Sequence, residues 1–108
     1  MRYREHKNWY GDTITIPEHI RNVFIRYFEH GYEPGSFSTA VLANDLHSAV
    51  ARADTQNRHM LAEITAWVAL NAPEGSWGNY DLVRDWVNQG PAFQAHQKAL
   101  TYSILKEE

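Results

Sequence analysis

The chain has 108 residues, 44% of them apolar, with ten Lys and Arg against thirteen Asp and Glu for a net charge of −3, and no cysteine. That content over that length supports one domain around one core. The missing thiols exclude a disulfide framework and thiolate chemistry, and the charge sign argues against holding nucleic-acid backbone by bulk charge.

The opening MRYREHKNWYG is basic and aromatic but has no apolar run of signal-peptide type. No stretch reaches the apolar length of a membrane span. Residues 1–15 read as an extended arm, with alternation over Asp12–Ile16 that fits a short strand. Such a strand needs a partner: it either pairs with another subunit or lies packed across the helices, and the second is the simpler expectation. Trp9 and Tyr10 stand beside Arg2, Arg4 and Lys7. Trp9, Tyr10 and Arg4 are therefore candidate partner contacts, while Trp9 can equally close one end of the core.

Residues 16–90 form the expected helical core domain. The first helix follows Thr15 as cap and Pro17 in its first turn, with Ile16, Ile20, Val23, Phe24, Tyr27 and Phe28 as its stripe and Gly31 as its end. A second helical stretch runs from Ser36 to Ala53. Its apolar face changes at Asn44-Asp45, which predicts either two short helices or one helix buried on two sides. Asp54 can cap a third helix over Thr55–Asn71, with Met60, Leu61, Ile64, Trp67 and Val68 facing inward. Pro73 and EGSWGN break it. A shorter helix then carries Leu82, Val83, Trp86 and Val87 toward Gly90. Pro91 opens a last helix over 91–108, expected to pack on the core or on a partner subunit. The fold class is all-α: about five short helices in one domain, with an extended N-terminal arm.

Two glycine–serine stretches carry the candidate chemistry. Pro34-Gly35-Ser36-Phe37 and Gly75-Ser76-Trp77-Gly78 each precede a helix, where backbone N–H groups lack intrahelical partners and favour anions. An aromatic such as Trp77 can stack on a base. The plainer reading is ordinary capping in two loops. Neither stretch has Walker or dinucleotide spacing. Between them, Arg52, Asn57 and Arg58 offer a phosphate or base contact, and seven of the ten basic residues are Arg, the better fork for phosphate. The structural alternative there is an Arg52–Asp54 contact plus a helix cap. The candidate ligand set is thus Gly35, Ser36, Phe37, Arg52, Asn57, Arg58, Trp77 and Gly78. No H-E-x-x-H or paired E-x-x-H supports a metal, no G-x-S-x-G supports a nucleophile, and no cofactor motif occurs. These absences argue against an enzyme.

The order Ile16-Pro17-Glu18, RYFEHGYEPGSFSTAVLANDL from Arg26 to Leu46, RAD at Arg52–Asp54 with Asn57, and AP…SWGN at Ala72–Asn79 before VRDWV is similar to a family of small phage and prophage proteins. Members of that family carry P-E…RY…G…PG-F-x-x-A-V-L-x-N-D-L…A-D-x-x-N…P…W-G-S. The likeness covers Ile16 to Gly90, leaves both ends unexplained, and departs at Asn79, where the family has Ser. It implies a phage origin and action in the cytoplasm of a bacterial host, and it supplies no catalytic residue. The resulting expectation is a non-enzymatic accessory protein that counters bacterial defence by sequestering a nucleotide-type signalling molecule. The alternative is a protein–protein inhibitor or adaptor acting on a host defence complex. Either would act as a homo-oligomer.

Overall fold

The computed structural model describes residues 3–7 and 10–90. The expected helix over 91–108 and the partner contact at Trp9 lie outside the described residues. Among those described, an antiparallel pair of two-residue strands, β1 (His6–Lys7) and β2 (Thr13–Ile14), precedes six helices. These are α1 (Glu18–His30), α2 (Ser36–Leu42), α3 (Leu46–Arg52), α4 (Thr55–His59), α5 (Leu61–Asn71) and α6 (80–90). The domain is all-α.

α1 carries Ile20, Phe24, Tyr27 and Phe28 on one buried stripe. Gly31 ends it at φ 70°, and its N–H reaches Tyr27 O, the left-handed stop that a residue without Cβ takes freely. Thr15 is not its cap. Pro17 holds that position with φ −55°, and its carbonyl accepts from the amides of Ile20 and Arg21. The proline ring fixes φ at this helix start.

The joint between α2 and α3 shows two helices, not one buried on two sides. Asn44 sits at φ 62°. Its N–H bonds Val41 O, and that of Asp45 bonds Ala40 O, the paired closure of a Schellman motif. Asn44 is therefore a helix stop, and Asp45 alone caps α3, accepting from Ser48 N at 3.1 Å.

The single helix expected over 55–71 divides at Met60, whose φ of −115° and ψ of 13° leave the helical well. α4 buries no residue, whereas α5 buries Ile64, Trp67 and Val68. Residues 55–59 have no apolar face, so core packing does not draw them onto the axis of α5.

The core is aromatic. Trp67 lies 6.2 Å from Phe28 and 6.3 Å from Phe24 between ring centroids, and Tyr3 of the arm approaches Trp67 at 5.6 Å. Each such pair adds about 0.5–1.5 kcal/mol beyond the area it buries. α6 closes the other side, with Trp86 Nε1 donating to Tyr27 O at 2.8 Å. The arm packs on the helices, and its strand pairs within the arm itself. Asn71 clamps it: Arg4 N donates to Asn71 Oδ1 at 2.6 Å, and Asn71 Nδ2 donates to Arg4 O at 2.8 Å. Tyr3 adds a hydrogen bond to Glu29 at 3.1 Å. Burial, with Glu29 assisting, pushes the Tyr3 phenol up to about 12.

Candidate functional site

α2 begins at Gly35 with no side chain capping it, and its first amides have no partner within the helix. Thr39 closes the first turn by donating to Gly35 O at 2.9 Å, and its hydroxyl donates back to Pro34 O at 3.3 Å. This start faces a groove of about 310 Å3. His19, Ile20 and Val23 of α1 form one wall, Gly35 to Ser38 the second, and Asp54 and Asn57 the third.

The groove brings together residues that are far apart in sequence. Phe37 is buried, and with Ile20 and Val23 it supplies apolar surface. Asp54 accepts from Asn57 N at 2.8 Å and so caps α4. Asn57 itself is half-buried. Its Oδ1 is buried with no hydrogen-bond partner, and no other buried side-chain N or O atom among the described residues lacks one. A buried acceptor left unmade costs about 1–3 kcal/mol. Native structures hold few, each of which needs a reason.

Four of the eight candidate ligand residues thus meet here: Gly35, Ser36, Phe37 and Asn57. The others do not line the groove. Arg58 is exposed on α4 and forms no ion pair with another of the described residues. Arg52 is exposed at the end of α3, where its charge acts on Asp45. The Arg52–Asp54 contact does not form.

The second glycine–serine loop needs a larger correction. The Gly78 amide is not open to an anion: it donates to Leu42 O at 2.8 Å. Leu42 is the last residue of α2, so Gly78 lies about 10 Å along that helix from Gly35. Ser76 is fully buried, and both its amide and its hydroxyl donate to Pro73 O. Tyr27 reaches Ser76 O at 2.6 Å. Asn79 accepts from Leu82 N at 2.8 Å and caps α6. Gly78 itself adopts φ 129°, and a Cβ there would meet Leu82 Cδ1 at 3.3 Å. This loop is a structural lock between α2 and α6. Trp77 stays partly exposed, away from the groove.

Arg4 spends its backbone on Asn71. Tyr10 stands 89% exposed in the turn between β1 and β2.

Three features were missed in the sequence. His19, Ile20 and Val23 share one face of α1 by helical spacing, but nothing in that spacing names their neighbour. A second groove of about 320 Å3 runs between Glu33-Pro34 and α6, lined by Tyr80, Asp81, Arg84 and Asn88. Arg84 is paired there with Asp81 at 3.3 Å and Asp85 at 3.7 Å. Last, Tyr80 donates to Asp45 Oδ2 at 2.6 Å across 35 residues. The Tyr80 hydroxyl, then the Ser48 amide and hydroxyl, hold the Asp45 carboxyl below its ordinary 3.8, and Asp45 in turn raises the Tyr80 phenol.

Among the described residues no group of three or more His, Asp or Glu is arranged to hold a metal ion, and no helix is long and apolar enough to cross a membrane. No family model, curated protein or solved structure matches this chain.

Proposed function

We propose that the protein binds a nucleotide-type signalling molecule in the groove between α1, α2 and α4, and that it acts by sequestering that molecule. The observation that carries this reading is the groove itself, where Ile20, Val23 and Phe37 meet the polar residues Ser36, Ser38 and Asn57. A concave site with apolar walls and a few convergent polar groups is how small-molecule sites are built. The likeness to small phage proteins supports an accessory role against host defence in the bacterial cytoplasm, without turnover of the ligand. Calorimetry with a panel of cyclic dinucleotides and ADP-ribose derivatives tests it. Binding is expected for at least one member, and Asn57→Ala should weaken that binding about tenfold or more, the scale of one lost buried hydrogen bond. Silence across the panel at micromolar protein removes the proposal.

A second reading, a protein–protein inhibitor or adaptor, is favoured by the outer face of α3. Leu46 and Val50 lie one helical turn apart there, 64% and 43% exposed. On this reading a host protein, or a second copy of the chain, would cover that face.

A further inference from the structure

We propose that residues 91–105 return as a helix antiparallel to α6 and fill the groove between α6 and Glu33-Pro34 with Phe93 and Leu100. This groove is not the one assigned to the ligand, so the two proposals stand or fall separately.

The end of α6 sends the chain in that direction. Gly90 closes the helix at φ 79°, a left-handed stop. Pro91 lacks the N–H needed to continue α6 and suits the first turn of a new helix. Two helices joined by so short a connection form an antiparallel hairpin. α6 is about 16 Å long, and residues 91–108 as a helix would span about 27 Å, enough to return along all of it. At equal rise Phe93 comes level with Val87, Gln97 with Val83 and Leu100 with Tyr80. Phe93, Gln97 and Leu100 share one face by helical spacing.

The groove has the room and the lining for such an occupant. Its volume is about 320 Å3, and Pro34, Val83 and Val87 give it apolar surface. Val87 is only half-buried, and Tyr80 is 45% exposed. Covering both removes apolar surface from water. The rim is acidic: Glu33, Asp81 and Asp85 outnumber Arg84, which is paired with the two aspartates. Residues 91–106 carry Lys98 and Lys106 and no Asp or Glu, so the returning helix brings positive charge to that rim. A second copy of the chain has the same segment, but the covalent link through Gly90 gives the chain's own segment a far higher effective concentration.

The chain has no cysteine, so introduced pairs report without background. In the full chain, Arg84→Cys with Gln97→Cys should form an intramolecular disulfide under mild oxidation, at a rate independent of protein concentration. That rate should exceed at least tenfold the rate for Gln89→Cys with Gln97→Cys. Gln89 is exposed and does not line the groove, and its loop to Gln97 is shorter, so a segment not held in the groove would close it at least as readily. Val50→Cys with Gln97→Cys reports on the α3 face and should also be at least tenfold slower. In the cysteine-free chain, Phe93→Asp should speed hydrogen exchange about tenfold along α6 and leave the amides of α1 and α5 unchanged. Equal rates for the three pairs, a faster Gln89 or Val50 pair, or a disulfide that joins two copies overturns the proposal. So does α6 exchange that Phe93→Asp leaves unaltered. Should Phe93→Asp fail to fold, the disulfide rates decide alone.

Discussion

At the scale of single residues, two hydroxyl contacts tie distant segments together. Tyr27 is fully buried, and its hydroxyl donates to Ser76 O at 2.6 Å. Burial also raises its phenol well above the ordinary 10.0. Tyr27→Phe leaves that carbonyl without its donor, so unfolding in urea should show a loss of about 1–3 kcal/mol. For a domain of this size each lost kcal/mol corresponds to about 4–8 °C in Tm. An unchanged midpoint would mean that the loop around Ser76 is held by other contacts. The Tyr80–Asp45 contact has a pH signature instead. The folded Asp45 carboxyl titrates below its ordinary 3.8, so its contribution is complete above that value and is lost as pH falls through the lowered one. Tyr80 titrates above its ordinary 10.0, so its contribution is complete below 10.0 and is lost as pH climbs through the raised value. Tyr80→Phe removes the alkaline dependence and weakens the acid one, where the Ser48 amide and hydroxyl still hold Asp45. Its stability profile should be flatter than that of the parent at the acid and alkaline ends alike, measured by urea titration across the pH range.

At the scale of elements, the arm is a tethered piece whose attachment can be cut without disturbing the core. Asn71 holds the Arg4 backbone from both sides and also donates to Trp67 O at 3.0 Å. Asn71→Ala should therefore release residues 3–7 and uncover the Tyr3 contact with Trp67. The expected readout is faster hydrogen exchange at Arg4 and along β1, with the amides of α1 and α5 unchanged and global stability lower by about 1–2 kcal/mol. Retained protection at Arg4 would show that the Tyr3–Glu29 bond and the Glu5–Arg21 pair at 3.5 Å suffice to hold the arm. Short helices also explain why the groove exists. α2 and α3 meet through the Asn44 turn, and α4 stands apart from α5 because Met60 leaves the helical well. That break lets Asp54 and Asn57 line the same groove as the start of α2.

At the scale of the whole molecule, the open question is what covers α3. Leu46 and Val50 are exposed, and the single buried residue of that helix is Ala49. A charge at either exposed position costs the monomer little, since nothing is packed on it. If this face joins two copies of the chain, Leu46→Glu combined with Val50→Glu should convert a dimer to a monomer in light scattering, with the thermal midpoint little changed. A parent that is monomeric at every concentration, with identical behaviour from the variant, would leave the face without a self-partner. The groove lies among α1, α2 and α4, so ligand binding should survive these changes.

What the sequence determined by itself was local. The stripe of Ile20, Phe24, Tyr27 and Phe28, the stop at Gly31 and the cap at Asp54 all act within a few residues along the chain, where periodicity and backbone chemistry are decisive. The likeness of PGSF and SWGN was also visible, but not their different fates. Only the tertiary structure decided that the Gly78 amide is spent on Leu42 O, 36 residues away, while the start of α2 meets Asp54 and Asn57 across a groove. Whether a helix start faces solvent or a neighbour depends on how helices pack, and packing depends on the shapes of side chains from several segments at once. The Met60 break has the same origin: no residue there forbids a helix, and α5 simply has more apolar surface to bury than α4.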